Sequence, residues 1–254
     1  MTDATVHDEL LLVHRHPERG SRDRQVIDEI LDAGMVCHLG VVQEGRPVVL
    51  PTLYGRDGDH LILHGSAAAR TLRAGAAGFP VCVTVTLLDG LVLAPTAFNH
   101  SANYRSVVIH GSATLVADEQ EKLAALEVLT EHVAPGRWAQ VPETTPSELR
   151  ATSVLTLSLE HAVAKVRAGG TSADPDMRGD AWLGVIPMRT EFGAPEPHEL
   201  QPEGATPPVW AGAAGVPAAP RPAGAADGVA APAPAGAGDA VEATSARDPG
   251  QVSA

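Results

Sequence analysis

Cysteine is rare in this sequence, and long apolar runs are missing. The two cysteines, Cys37 and Cys82, lie in apolar segments typical of buried strands, so we expect reduced core thiols rather than a disulfide. No segment reaches the roughly 18 apolar residues of a membrane-spanning helix. Residues 1–9 lack the basic and apolar regions of a signal peptide. These absences predict a cytoplasmic protein with no membrane partner.

Basic charge is scarce as well. The chain has 18 Lys and Arg residues against 31 Asp and Glu residues, which gives a formal net charge of −13 at pH 7. A nucleic-acid-binding protein needs a stripe of basic residues for the phosphate backbone, and the sequence has no such stripe. We therefore expect no nucleic-acid partner, and we attribute the acidic balance to solubility.

The motifs of several enzyme classes are also missing. The 11 histidines show no His-Glu-x-x-His spacing and do not cluster with carboxylates, so we expect no protein-bound catalytic metal. The sequence has no Gly-x-Ser-x-Gly, Walker loop or Gly-x-Gly-x-x-Gly. Nucleophilic hydrolysis, P-loop chemistry and Rossmann-type nicotinamide binding therefore have no motif to support them.

Composition divides the chain into three parts. Residues 193–254 are dominated by Ala, Pro and Gly, and such a segment cannot bury enough apolar surface to offset the entropy lost on ordering. We predict a disordered tail there. Residues 21–192 are predicted to form one folded domain, preceded by a flexible N-terminus over residues 1–20.

The folded part is predicted to be mainly β with short helices. Apolar residues at helical spacing predict a first helix over 21–34, with Ser21 or Asp23 as its N-cap. Strands are predicted over 35–42, 46–54, 60–64, 79–88, 91–98, 104–116 and 153–166, and further helices over 65–75 and 118–132. The dipeptide Asp89-Gly90 predicts a hairpin. Closely spaced strands with short inserted helices favour a closed or nearly closed antiparallel barrel in an α+β fold.

The first candidate site is the segment His64-Gly65-Ser66, which is followed by Arg70. A glycine and a hydroxyl at a helix N-terminus present N–H and O–H donors to an anion, and an arginine one turn further adds charge-assisted contacts to phosphate. An ordinary Ser-capped helix with a surface arginine is an equal alternative.

The second candidate site is the polar run at the start of a predicted strand, Asn103-Tyr104-Arg105-Ser106, preceded by His100-Ser101. Successive hydrogen-bonding side chains at a strand entry are typical of a site for an oxygen-rich ligand. The alternative is a polar turn whose side chains satisfy the local backbone.

The third candidate combines Lys165-Val166-Arg167 with Trp182. A tryptophan in a glycine-containing apolar segment near the end of the domain has the shape to cover a flat ring or to fill a subunit contact. Simple core packing of Trp182 is an equally good interpretation.

Several of these segments resemble one family. The sequence is similar to members of the pyridoxamine 5′-phosphate oxidase-like superfamily, most of all to the branch that contains nitroimidazole-resistance proteins. The resemblance covers residues 22–190, and the segments that carry it are Pro47–Pro51, Leu61–Ser66, Val81–Ala94, Asn103–Val107 and Lys165–Gly169.

The resemblance implies an antiparallel split β-barrel of the FMN-binding type that forms a homodimer around FMN. It implies that Pro51 and Thr52 border the isoalloxazine ring and that His64 lies beside the flavin, where an imidazole can donate a proton to a reduced product. The phosphate and ribityl contacts are then Ser66, Arg70, Arg105 and Ser106, and the predicted cofactor-binding set is completed by Gly65, Asn103, Tyr104 and Trp182.

The activity that the resemblance implies is FMN-dependent reduction of a small molecule such as a nitro-aromatic or a quinone. The flavin performs the redox chemistry in such enzymes, which is consistent with the lack of a triad or metal motif. Two alternatives remain open. One is a non-catalytic flavin- or haem-binding protein, in which His64, His100 or His110 is the axial haem ligand. The other is a deazaflavin-dependent reductase.

Overall fold

The computed structural model describes residues 12–67, 78–172 and 180–207, in which nine strands form one antiparallel sheet. No helix in these ranges is long and apolar enough to cross a membrane. The strands are β1 Gly20–Ser21, β2 Val36–Gln43, β3 Arg46–Asp57, β4 His60–Ser66, β5 Phe79–Leu93, β6 Ser101–Leu115, β7 Thr152–Ser158, β8 Ala162–Arg167 and β9 Gly184–Pro187, and the α-helices are α1 Arg24–Ala33, α2 Glu119–Val133 and α3 Pro146–Ala151.

Six of the strands close into a ring in the order β2, β3, β4, β7, β6 and β5, and β5 pairs again with β2. The sheet continues outside the ring, because β8 and then β1 pair along β6 while β9 pairs along β5. The predicted mainly β fold with an antiparallel split barrel is therefore confirmed.

Alternation along the strands sends one set of side chains into the barrel. Val83 and Val85 of β5 and Val107 and Ile109 of β6 are fully buried, whereas the residues between them point outwards. Helix α1 adds three apolar side chains to the same core, namely Ile27, Ile30 and Leu31. The Asp23 carboxylate caps α1 by accepting a hydrogen bond from the Gln25 N–H at 2.9 Å, as predicted.

Helix α2 packs on the outside of the ring against β3 and β4. Leu129 of the helix forms a small second core with Ile62 and Val154. The close approach requires a glycine in β3, since a Cβ at Gly55 would lie 2.9 Å from the Cα atom of Leu129. A larger residue at Gly55 must push α2 away from the sheet.

The predicted Asp89-Gly90 hairpin is wrong. Strand β5 runs through this dipeptide without turning, and the register against β6 shifts by one residue between Leu88 and Gly90, which is a β-bulge. The glycine is needed here because strand β9 passes close by, and a Cβ at Gly90 would lie 2.9 Å from the Ile186 carbonyl oxygen.

Two other predicted boundaries also change. The single strand predicted over 153–166 is two strands, β7 and β8, because the chain turns at residues 159–161. Strand β7 pairs with β4, whereas β8 pairs with β6. The helix predicted over 65–75 does not begin at Gly65, since Gly65 and Ser66 continue β4 and pair with Ser153 and Thr152. The rest of that predicted helix, residues 68–75, lies outside the described residues.

The ends of the domain differ slightly from the predicted boundaries. Pro17–Arg19 form a 3-10 turn and Gly20 pairs with Lys165, so regular structure starts before residue 21. Residues 193–207 are exposed and form neither helix nor strand. Residues 1–11 and 208–254 lie outside the described residues, so a flexible N-terminus and a disordered tail remain predictions. Cys37 and Cys82 are both free, as predicted.

Candidate functional site

A polar patch covers the outer face of β5, β6 and β8. Thr86, Ser106 and Lys165 lie side by side in one row across the three strands, and Tyr104 and Arg167 lie opposite each other in the next row. We call these five residues the polar patch. Two cations and three hydroxyl groups on one open sheet face can bind an anionic, oxygen-rich ligand.

The same face becomes apolar towards the other end of the strands. An outer groove of about 360 Å³ lies there, lined by Gly40, Val42, Val49, Cys82, His110 and their neighbours. Val42 and Val49 are 73% and 62% exposed, which is unusual for valine in a sheet. The face therefore offers two surfaces of different chemistry, a polar patch and an apolar groove.

Arg105, which the resemblance assigned to phosphate, points to the inner side of β6 and is held by Asp89. Its Nε donates to one carboxylate oxygen at 3.0 Å and its Nη2 to the other at 2.8 Å. Both side chains are largely buried, with 12% and 13% exposure. Since Asp89 already neutralises Arg105, this arginine is poorly suited to attract a phosphate in the monomer.

Asn103 takes part in a different contact at the end of β8. Its Oδ1 atom accepts a hydrogen bond from Nη1 of Arg167 and another from the N–H of Gly169 at 3.1 Å. Arg167 also donates to the carbonyl oxygens of Gly169 and Gly170, at 3.3 and 3.1 Å. Asn103 thus positions the Arg167 guanidinium and the loop that follows it.

His64 lies on the outer face of β4, where it pairs with Val154. The ring is half-buried, and its Nδ1 atom is buried without a hydrogen-bond partner among the described residues. Burial lowers the pKa of His64, so the neutral imidazole is favoured. A neutral ring with an unsatisfied nitrogen can accept a proton, donate one or coordinate a metal.

The neighbours of His64 in the predicted set lie beside it or outside the described residues. Gly65 and Ser66 follow it in β4, and the Ala67 N–H donates to the Ala151 carbonyl oxygen at 2.9 Å. Arg70 lies outside the described residues. The described part of the first candidate site, His64-Gly65-Ser66, is therefore the end of strand β4.

Pro51 and Thr52 are adjacent in β3 but point to opposite faces. Pro51 pairs with His38 on the outer face, while Thr52 pairs with Cys37 on the inner face. Only Pro51 shares a face with the polar patch, since His38 in turn pairs with Thr84 of β5.

Trp182 is 62% exposed and lies immediately before β9. Its ring packs against Gly184, the first residue of β9, since a Cβ at Gly184 would lie 2.7 Å from the indole. Core packing of this tryptophan, one of the interpretations offered by the sequence, is excluded by its exposure.

Within one chain, the described residues of the two predicted half-sites do not meet. His64 lies beside Val154, whose carbonyl accepts from Val116 just past β6. Strand β6 pairs with β7 at Thr114, opposite Thr156. Tyr104 precedes Thr114 in β6 by about ten residues, which corresponds to roughly 33 Å of extended strand. Tyr104 and Ser106 share the polar patch, whereas His64, Gly65 and Ser66 lie near the other end of the barrel.

The predicted cofactor-binding set lacks Thr86, Asp89, Lys165 and Arg167, although Lys165 and Arg167 belong to the third candidate. Lys165 and Arg167 contribute the charge of the polar patch, and Asp89 neutralises Arg105. The spacing of Lys165 and Arg167, two residues apart in a strand, already places them on one face. The described residues hold no cluster of three or more His, Cys, Asp or Glu side chains suited to a metal ion.

Comparison with known proteins adds a family to this geometry. The family model described as pyridoxamine 5′-phosphate oxidase matches residues 23–166. No curated protein matches the sequence significantly. The predicted family resemblance is confirmed by this match.

Solved structures include two relatives with more than 30% identity. The flavocytochrome Anf3 from Azotobacter vinelandii is 35% identical, with a TM-score of 0.75 over 80% of this chain and 95% of its own. A FAD and heme binding protein from Mycobacterium smegmatis is 36% identical, with a TM-score of 0.70 over 75% of this chain and 94% of its own. A structure from Bacteroides thetaiotaomicron, named for 5-nitroimidazole antibiotic resistance, is 24% identical, with a TM-score of 0.49 over 58% and 86%.

Proposed function

Because the chain belongs to the pyridoxamine 5′-phosphate oxidase family, we propose that it is a flavin-dependent redox protein that also binds haem. The observation that carries this proposal is the pair of relatives at 35% and 36% identity, one named a flavocytochrome and the other a FAD and heme binding protein. Haem was an alternative in the sequence interpretation, and these relatives move it into the main proposal.

The polar patch has the chemistry that a flavin nucleotide requires. A bound flavin supplies hydride and electron transfer, while the protein binds and orients it. The hydroxyl groups of Tyr104 and Ser106 can hydrogen-bond to the polyol chain, and the nearby cations can neutralise phosphate. Pro51, on the same outer face, is available to border the ring system.

A homodimer is part of the proposal, because one chain keeps the two half-sites apart. In a dimer with two-fold symmetry, the His64-Gly65-Ser66 end of one subunit can meet the polar patch of its partner. The exposed Val42 and Val49 of the outer groove would then be covered by the partner. Light scattering of the full chain tests this: Val49→Glu is expected to yield monomers, and a monomeric wild-type protein would exclude the assembly.

His64 is the residue that would hold the iron of a bound haem. Its Nδ1 atom is buried and has no partner in the part of the chain that the structure describes, and burial favours the neutral imidazole that coordinates iron. His100 fits less well, since it is exposed and its Nδ1 lies 2.7 Å from the Thr96 carbonyl oxygen. His110 lines the apolar outer groove and is the second choice.

The form of the flavin is also part of the proposal. FMN is expected from the family resemblance, whereas the Mycobacterium smegmatis relative is named for FAD. Mass spectrometry of the chromophore released from the full-length protein distinguishes FMN, FAD and a deazaflavin. We further propose that the protein works in the cytoplasm, where Cys37 and Cys82 would stay reduced.

The absorption spectrum of the purified full-length protein tests the cofactors. We expect flavin bands together with a Soret band, and His64→Ala should lose the Soret band while the flavin bands remain. His100→Ala is the matched control and should keep both. A protein that takes up neither flavin nor haem when both are added would contradict the proposal.

The substrate is proposed to be a small electron acceptor such as a quinone or a nitro-aromatic compound. The test is to reduce the protein with dithionite under anaerobic conditions and then to mix it with menadione or nitrofurazone. Rapid reoxidation of the flavin with product formed in proportion supports a reductase. Reduced flavin that persists with both acceptors would support a binding or electron-carrier protein instead.

A further inference from the structure

Two cations lie together on the outer face of β8 without an acidic partner. Lys165 and Arg167 are two residues apart in this strand, so their side chains leave the same face. In the described part of the chain no carboxylate forms an ion pair with either of them, whereas Arg24, Arg56 and Arg105 each pair with an aspartate. In a chain with a net charge of −13, two adjacent cations with no carboxylate partner among the described residues form a surface suited to bind an anion.

The Arg167 guanidinium is fixed but not neutralised. Its hydrogen bonds to described residues all go to neutral oxygens, namely Asn103 Oδ1 and the carbonyls of Gly169 and Gly170. These bonds use both N–H groups of Nη1 and one of Nη2, so the Nε–H and the second Nη2 N–H have no acceptor among the described residues. Burial and the nearby Arg19 both lower the pKa of Arg167, which is the direction expected for a cation without a counter-ion.

Neutral hydrogen-bond donors surround the two cations. Ser106 pairs with Lys165 across the sheet and Tyr104 pairs with Arg167, so each cation has a hydroxyl group beside it. Just past Gly170, the Thr171 hydroxyl is buried and has no partner among the described residues. The Ser106 hydroxyl donates to the Lys165 carbonyl oxygen at 3.3 Å, so Tyr104 is the hydroxyl beside the cations that remains for a ligand. Two positive charges with these neutral donors fit a group with several anionic oxygens better than a single carboxylate.

From these contacts we infer that Lys165 and Arg167 bind a phosphoryl group of the flavin nucleotide, with Tyr104 as a neutral donor. This inference rests on the proposed function for the identity of the nucleotide. It replaces Arg105, which Asp89 neutralises, as the cationic contact from this sheet. Asn103 is then a positioning residue, because it holds the guanidinium of Arg167 in place.

The test compares flavins with and without phosphate on the flavin-free full-length protein. Binding of FMN and of riboflavin is titrated by fluorescence quenching. The wild-type protein should bind FMN roughly 10- to 100-fold more tightly than riboflavin, since charged hydrogen bonds to phosphate contribute that much. Lys165→Gln/Arg167→Gln should bring FMN down to the affinity of riboflavin and leave riboflavin unchanged. Arg150→Gln, on the exposed side of α3, is the matched control and should keep the wild-type ratio.

Two results would overturn the inference. If the double variant weakens the binding of FMN and of riboflavin equally, or changes the binding of neither, then the phosphate is bound elsewhere. If the variant loses thermal stability without a change in the FMN-to-riboflavin ratio, the two cations have a structural role only.

A separate readout covers failure of the proposed function itself. If the wild-type protein binds no flavin, inorganic pyrophosphate at constant ionic strength becomes the probe, and the unfolding temperature is the readout. A rise for the wild-type protein that is absent in Lys165→Gln/Arg167→Gln keeps the phosphoryl site and assigns it to another ligand. The same unfolding temperature with and without pyrophosphate in the wild-type protein would remove the site.

Discussion

Arg105 of β6 donates two hydrogen bonds, of 3.0 and 2.8 Å, to the carboxylate of Asp89 in β5. The pair joins two neighbouring strands at the bulge of β5, where the ladder register shifts. The bulge turns Asp89 towards the inner side of β6, and the Asp89 carbonyl oxygen accepts from the Met188 N–H at 3.0 Å at the end of β9. One aspartate thus connects β5, β6 and the segment that follows β9.

Removing Arg105 should destabilise the fold as well as any ligand site. Arg105→Ala leaves the largely buried Asp89 carboxylate without its partner, and we expect a loss of roughly 3 kcal/mol in the free energy of unfolding. The double variant Asp89→Ala/Arg105→Ala should lose less than the sum of the two single variants, because no charge is left unpaired. Urea unfolding of the flavin-free full-length protein measures these values.

The control for this prediction is Arg150→Ala, which removes an exposed arginine of α3 and should change stability by less than about 0.5 kcal/mol. If Arg105→Ala were as mild as the control, the ion pair would have no structural role. In that case phosphate binding by Arg105, as the resemblance implied, would again be the better explanation.

Gly55 should be essential for the packing of α2 against the sheet. A methyl group at this position would lie 2.9 Å from the Leu129 Cα atom, and backbone cannot move aside as a flexible side chain can. We expect Gly55→Ala to cost about 1–3 kcal/mol. Gly193→Ala is the matched control, since a Cβ there meets no atom within 4 Å. Equal unfolding midpoints for the two variants would contradict this view of the helix–sheet contact.

His64 should make stability depend on pH in the acidic range. Burial lowers its pKa from the ordinary value of 6.5, so the unfolded chain binds more protons between the two pKa values. The free energy of unfolding therefore rises with pH through this window and decreases when the pH is lowered through it. Above about 6.5 the contribution of His64 no longer changes with pH.

The measurement is urea unfolding at about pH 5 and about pH 7, where the His64→Gln variant should show a smaller difference than the wild-type protein. His100→Gln changes an exposed histidine and should keep the wild-type difference. An unaltered difference in His64→Gln would mean that another group causes the pH dependence.

The elements that sequence predicted well are those determined by neighbouring residues. Alternation along β5 and β6 and helical spacing in α1 follow from local pattern, so strand and helix positions agree within a few residues. The Asp89-Gly90 dipeptide was misjudged because its conformation depends on distant partners. Arg105, 16 residues further on, neutralises the aspartate, and the approach of β9 requires the glycine.

The candidate site was predictable only in part, for a similar reason. Composition indicated that Tyr104, Arg105 and Ser106 form a polar group, but successive strand residues point to opposite faces. Which face is the interior depends on the burial of Val107 and Ile109 and on pairing with β8. Arg105 consequently points inwards to Asp89, and its place on the outer face is taken by Lys165 and Arg167 of another strand.

The two cysteines should differ in reactivity, because they lie on opposite faces of the sheet. Cys37 is completely buried, and burial raises the pKa of its thiol to about 12. Cys82 is half-buried in the outer groove and its pKa is raised as well, mainly by burial. Iodoacetamide should therefore modify Cys82 slowly and Cys37 hardly at all in the folded protein, as measured by peptide mass spectrometry. In urea both should react at similar rates, since the thiolate fraction becomes that of a free cysteine. Modification of Cys37 in the native protein as fast as Cys82 would show that the barrel opens readily, and the core packing of Cys37 beside Leu39 and Val83 would then need revision.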